Sequence, residues 1–261
     1  MQQHLQTKFL AFLLSLILIT NQCDAQIDSV LARQLQQILD KRIQSYGEHG
    51  VSATVIMQNG ATWKGTAGLG KNGISISDST VFHGASITKC NIATLMLLLA
   101  EDGLIHLDSS WHKYITLNVS FNPSITIRQL LSHTSGIKDY LEVAGSGTLV
   151  TSDFNHAFTP IEILETHVSG TPDFAPGTNF KYSTSNYVLA ALIAQTVTGH
   201  PVQEELRSRI WAPLGMSHTY FGGFENYSEA SAGVWWDFEG GLQDYSNSPE
   251  TSMLTYGFGG N

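Results

Sequence analysis

Phe82-His83-Gly84-Ala85-Ser86-Ile87-Thr88-Lys89 runs almost directly into the apolar stretch Ile92-Ala93-Thr94-Leu95-Met96-Leu97-Leu98-Leu99. This junction decides how the chain is read. Ser86 and Lys89 stand three residues apart at the head of a helix-like segment, and on a helix such side chains share a face. A lysine held there and partly desolvated can take the proton of the serine, which an acyl-transferring serine without a histidine partner requires. Ser86 is therefore the candidate nucleophile and Lys89 its activator.

The same spacing recurs in Ser110-Trp111-His112-Lys113 and in Ser135-Gly136-Ile137-Lys138. Context separates the three. Gly136 is a poor helix residue directly after Ser135, and Asp108-Ser109-Ser110 reads as a turn or cap. Only Ser86 opens a long apolar helical segment.

Outward from this segment, Val30, Leu31, Leu35, Ile38, Leu39 and Ile43 show helical spacing over residues 27–46, ended by Gly47. Runs 51–56 and 62–66 flank Asn59-Gly60, a strong hairpin signal. Beyond the Ser86 helix, residues 125–131 predict a short helix capped by Ser124 or Thr126. A further helix is expected over 186–198, closed by Gly199, and another over 202–210, ending at Pro213. After Trp235 no convincing strand run follows. Early strands followed by helices suggest an α+β or α/β domain.

With 261 residues, 42% of them hydrophobic and 13% charged, the chain can bury a sizeable core. Its formal charge of -9, from 13 basic and 22 acidic side chains, argues against nucleic acid and against an anionic membrane surface. Lys8, the apolar run 9–20 and Ala25 read as a secretory signal peptide over residues 1–25, too short to span a membrane comfortably. Lipidation at Cys23 fits less well, since Asn21 and Gln22 precede it. Cleavage after Ala25 leaves Cys90 as the remaining cysteine, so no internal disulfide is expected, and Cys90 reads as buried and structural. The address that follows is periplasmic or secreted.

Other chemistry-bearing residues take plainer readings. His133 lies in a helix end and turn and reads as structural. The ten histidines show no metal-ligand spacing, and Gly257-Phe258-Gly259-Gly260 lacks the strand and lysine of a phosphate loop, so neither metal nor cofactor is expected. Trp235-Trp236-Asp237 reads as packing rather than as a ligand platform.

Four further blocks accompany Phe82 to Lys89: residues 98–108 (LLAEDGLIHLD), 125–136 (ITIRQLLSHTSG), 176–183 (PGTNFKYS) and 213–216 (PLGM). Together, in order over about residues 50–220, they resemble the serine β-lactamase and penicillin-binding-protein superfamily, in its class C β-lactamase, D-alanyl-D-alanine carboxypeptidase and esterase branch. The resemblance implies an α/β sandwich, an antiparallel sheet with a helical subdomain, over residues 26–261. It also implies an acyl-enzyme on Ser86, with Lys89 as partner and Tyr182 sharing the proton transfer. The implied substrate is a cell-wall peptide, a β-lactam or a small ester.

The sequence departs from the family pattern in two places. The asparagine expected two residues after Tyr182 is Thr184; Asn186 is out of register, and Tyr245-Ser246-Asn247 lies far from the Pro-Gly lead-in. The third family motif, Lys or His followed two residues later by Gly on a strand, has no counterpart in a suitable place. Nor do the final strands and closing helix, so the chain is expected to be incomplete and inactive by itself. Losing one oxyanion donor costs about two to three powers of ten in rate. Two functions therefore stand side by side: an exported serine hydrolase, and a truncated, inactive member that binds peptide or does nothing alone.

Overall fold

Asp28 starts the first helix by accepting the N–H groups of Val30 and Leu31 on Oδ1, at 2.9 and 3.0 Å, so α1 runs Ser29–Tyr46. The structure, a computed structural model, describes residues 27–46, 48–142, 159–168, 170–237 and 242–244. The expected signal peptide, Tyr245-Ser246-Asn247 and Gly257 to Gly260 lie outside these residues. The chain divides into two compact units at Thr80/Val81.

In the first unit, β1 (Gly50–Ile56) pairs antiparallel with β2 (Thr62–Gly68) around the Asn59-Gly60 turn. Val55 faces Trp63, Ala53 faces Gly65 and Val51 faces Ala67. This face is the more buried one, while Ser52, Thr54 and Ile56 are exposed, as period-two alternation requires. Helix α1 is fastened to the hairpin by Gln36, whose side-chain amide donates to the Thr66 carbonyl at 2.9 Å.

The second unit is helical around one apolar core. Helix α2 (Thr88–Glu101) buries Ile92, Leu95, Met96 and Leu99, the i, i+3, i+4, i+7 stripe. Helix α3 (Ile127–Leu131) begins in a capping box: Thr126 Oγ1 accepts the Gln129 N–H at 3.2 Å, and Gln129 Oε1 accepts the Thr126 N–H at 3.0 Å. The short α4 (Pro160–Glu162) starts in a second such box between Thr159 and Glu162, then widens into a π turn, Ile163–His167.

Helix α5 (Thr184–Thr198) is buried on all sides along Thr184 to Ala194 and ends at Gly199, whose φ of 73° supplies the left-handed C-cap. Helix α6 (Val202–Leu206) also widens into a π turn, Arg207–Trp211, which buries Trp211. The Trp211 indole N–H donates to Asn91 Oδ1 on α2 at 2.9 Å.

Two expectations are corrected. Cys90 is exposed, not buried, because the buried phase of α2 runs through Thr88, Lys89 and Ile92 and turns position 90 outward. Strands also occur after residue 234: β3 (Trp235–Asp237) pairs antiparallel with β4 (Leu242–Asp244). Three residues are too few to show a period-two pattern in sequence.

Candidate active site

Ser86 sits in the tight turn Ala85–Ile87 that leads into α2. Its neighbour Ala85 has φ 43°, a left-handed conformation uncommon outside glycine and one that stores strain beside the serine. Ser86 is exposed while Lys89, one turn on, is only 6% exposed. The Lys89 ammonium donates to Ser86 Oγ at 3.3 Å.

Tyr182 arrives from a loop remote in sequence, and its hydroxyl donates to the same Ser86 Oγ at 2.8 Å. Lys89 Nζ also lies 5.1 Å from the centroid of the Tyr182 ring and 5.9 Å from that of Tyr187, within range of cation–π attraction. All three residues singled out from the sequence thus meet at one oxygen.

The loop carrying Tyr182 is laced to residues 133–142. Gly136 O accepts the Asp173 N–H at 3.0 Å, Thr134 O the Gly177 N–H at 2.8 Å and His133 O the Lys181 N–H at 3.0 Å. Gly136 has φ 80°, and a Cβ there would collide with the Phe174 carbonyl, so only glycine admits this approach. The Lys181 ammonium bridges Glu142 at 2.7 Å and Asp173 at 2.9 Å; these hydrogen bonds hold it well above the usual ammonium range.

Beneath Tyr182 lies a buried polar layer. Asp139 Oδ2 accepts both the backbone N–H and the hydroxyl of Thr184, at 2.9 and 3.0 Å, capping the start of α5. Ser185 Oγ donates to Lys138 O at 2.8 Å and accepts the Tyr140 N–H at 2.9 Å. Ser135 Oγ donates to Asn186 Oδ1 at 2.6 Å and accepts the Ile137 N–H at 3.0 Å. Thr184 and Asn186, the two residues weighed for the motif asparagine, are therefore both committed to this layer.

Ser135, 1% exposed, is a buried tie. Ser110 is a cap: its hydroxyl donates to the Pro123 carbonyl and accepts the His112 N–H at 3.1 Å. Neither resembles the Ser86 arrangement.

His133 lies against Tyr182, with ring centroids 4.5 Å apart. Burial first, then the nearby Lys89 charge, hold its imidazole below the usual range, with the Asp139 charge pulling the other way. Burial, with smaller effects from Cys90 and Tyr182, pushes the Tyr187 phenol up, and its hydroxyl donates to Leu131 O at 2.9 Å. An apolar cavity of about 390 Å³ opens on the other side of Ser135, between Phe121, Ile125, Ile137, Val168 and Phe174; Ser86, Lys89 and Tyr182 are not in its walls. Among the described residues, no group of three His, Cys, Asp or Glu side chains could hold a metal ion.

The model of the family "Beta-lactamase" matches residues 35–249. The chain belongs to the beta-lactamase family. Among curated relatives, the protein named flp of Staphylococcus aureus (strain COL) is 28% identical over 91% of this chain and 47% of its own length. A putative penicillin-binding protein, PbpX, of Bacillus subtilis is 29% identical over 84% of this chain and 54% of its own. This beta-lactamase-family chain spans about half the length of the curated relatives it matches.

Solved structures agree on the fold. A D-stereospecific amidohydrolase from Streptomyces sp. superposes with a TM-score of 0.75 at 28% identity, over 90% of this chain and 68% of that one. The D-amino acid amidase from Ochrobactrum anthropi SV3, complexed with L-phenylalanine amide, gives 0.74 at 30% identity over 89% and 66%. The fold and family are those of beta-lactamase-related hydrolases. Among the described residues no helix is long and apolar enough to cross a membrane.

Proposed function

We propose that this chain carries the nucleophile of an exported serine hydrolase that forms an acyl-enzyme on Ser86. The supporting observation is the convergence on Ser86 Oγ of Lys89 Nζ, at 3.3 Å from one helical turn on, and of Tyr182 Oη, at 2.8 Å from 96 positions away. The exported address rests on the reading of residues 1–25.

In acylation, Ser86 Oγ forms a bond to the substrate carbonyl carbon and its proton passes to the Lys89–Tyr182 pair in the form that carries one proton fewer, amine beside phenol or ammonium beside phenolate. The bond from carbon to the leaving nitrogen or oxygen then breaks, and the pair returns the proton to that atom. Water repeats the sequence on the ester: it loses a proton to the pair, the carbon–Oγ bond breaks, and Oγ is reprotonated. The two groups together cover the acid and base steps, and burial of Lys89 keeps the amine from bulk water.

The substrate class we favour is an amide, peptide or ester of a D-amino acid. Of two structural relatives at 28–30% identity, one is by name a D-stereospecific amidohydrolase and the other a D-amino acid amidase. Ile87, next to Ser86, and Phe180, two residues before Tyr182, are exposed apolar side chains, at 69% and 65%, which suits an apolar or aromatic acyl side chain. The test is hydrolysis of D- and L-phenylalanine amide and of nitrocefin by the chain lacking residues 1–25, beside its Ser86→Ala variant. Turnover of the D-amide that vanishes in the variant supports the reading. A folded protein with no Ser86-dependent turnover or labelling favours the inactive, peptide-binding alternative.

A further inference from the structure

The backbone N–H groups on either side of Tyr182, those of Lys181 and Ser183, are both accepted by one residue. The His133 carbonyl accepts the Lys181 N–H at 3.0 Å, and His133 Nδ1 accepts the Ser183 N–H at 3.1 Å. Between these two anchor points the imidazole lies against the Tyr182 ring, centroids 4.5 Å apart at 31°, with Tyr187 5.2 Å away at 40°. Such a grip on main chain and side chain together fixes both the position and the rotation of the phenol.

The backbone of His133 is arranged for this. Its φ of 57° is unusual for a residue with a Cβ, and it turns the carbonyl and the ring toward the same loop. Strain of this kind persists only where the surroundings hold it. We infer that His133 is a positioning residue for Tyr182, working as a neutral imidazole whose Nδ1 must remain an acceptor. This rests on the proposed role of Tyr182 at Ser86.

The tautomer follows from the neighbours. Nδ1 faces the Ser183 N–H and, at 3.4 Å, the Asn186 side-chain amide; Asn186 Oδ1 is taken by Ser135, so its amino group is the part turned to the ring. Both neighbours are donors. A proton on Nδ1 would set a third donor against them and add a cation beside Lys89. The titratable and charged groups around the ring are Lys89 on α2, Tyr187 on α5, Asp139 in the following loop and Tyr182 itself. Of these, Lys89 opposes protonation and Asp139 favours it. Protonation of Nδ1 therefore releases the grip on Tyr182.

Two variants and a spectroscopic titration test this. His133→Ala removes the acceptor and the ring; His133→Asn keeps an acceptor oxygen and tolerates the left-handed backbone. His133→Ala should lower kcat for a D-phenylalanine ester about ten- to a hundredfold, with KM little changed, as expected when a reacting group is displaced by a fraction of an ångström. His133→Asn should recover most of the rate and lack the acid-side inflection attributable to the imidazole. NMR titration of 13C-labelled histidine reads the grip without any turnover: the His133 signal should titrate below an ordinary histidine and move up in Lys89→Ala. Equal rates and unchanged pH profiles in both variants, or an ordinary His133 titration, would overturn the inference. Loss of Ser86 dependence with a normal depressed titration would instead overturn the reading of the active site alone.

Discussion

Replacing each of the three serines that precede a lysine by three positions separates catalytic from structural roles. Ser135→Ala removes the hydroxyl that donates to Asn186 Oδ1 and accepts the Ile137 N–H. Asn186 is fully buried and Ile137 5% exposed, so water cannot replace the lost partner. Each stranded group costs about 1–3 kcal/mol, and together about 2–6 kcal/mol. For a chain of this size each kcal/mol lowers Tm by about 2–4 °C, so Ser135→Ala should melt roughly 4–24 °C early. Ser110→Ala loses one partly exposed cap, about 1 kcal/mol and a few degrees. Ser86→Ala, at an exposed position, should stay within about 0.5 kcal/mol of the parent. Labelling by a fluorophosphonate, read on a gel beside circular-dichroism melts, should follow the reverse order. It vanishes in Ser86→Ala and persists in folded Ser110→Ala and Ser135→Ala. A Ser135→Ala protein with parental Tm and no labelling would refute the assignment and the energetics together.

Further outcomes follow from the same geometry. Because Lys89 and Tyr182 meet at one oxygen, Lys89→Ala and Tyr182→Phe should each slow acylation strongly. The double variant should lose far less than the product of the two; multiplicative losses in single-turnover assays would make one of them merely structural. Ala85→Gly relieves a left-handed residue costing about 1–2 kcal/mol, against about 0.5–1 lost to backbone entropy. Urea unfolding should therefore show equal or slightly higher stability while labelling of Ser86 slows. Stability should also depend on the His133 imidazole. Its folded pKa is depressed by burial, so the unfolded chain binds the proton more readily and stability rises with pH. The contribution is complete above the ordinary histidine value of about 6.5 and is lost as pH falls through the lower folded value. Urea midpoints between pH 5 and 8 should drop less steeply in His133→Asn.

What the sequence makes legible follows the range of the forces involved. Helix α1, the Asn59-Gly60 hairpin and the Gly199 cap are local, and each is where its residues place it. The α2 phase was less legible: from Ile92 to Leu99 nearly every residue is apolar, so periodicity could not say that Leu97 is 53% exposed or that Cys90 faces out. Helix α5 starts at Thr184 rather than Asn186 because Asp139, 45 positions away, accepts the Thr184 N–H; no neighbouring residue announces it. The Thr159-Pro160 to Glu162 capping box was local and readable, with proline at the first helical position.

The site shows the same division. Ser86 and Lys89 are one helical turn apart and could be paired from spacing, whereas Tyr182 was placed through the Pro176 to Ser183 block that the resemblance carries. His133 was assigned to a turn, which its backbone confirms, but its contact with Tyr182 is made across 49 positions and has no local signature. The one available signal was its place in the block Leu131-Ser132-His133-Thr134-Ser135-Gly136.

The most direct test of the central claim is the site of the covalent adduct. The chain without residues 1–25 is mixed with a D-phenylalanine active ester, quenched in acid within seconds, and digested for mass mapping. The account predicts one phenylalanyl group on the peptide containing Ser86, fragmenting to that serine, and no adduct in Ser86→Ala. An adduct on Ser110, Ser135 or Cys90 in the folded protein, or ester turnover that survives Ser86→Ala, would contradict it.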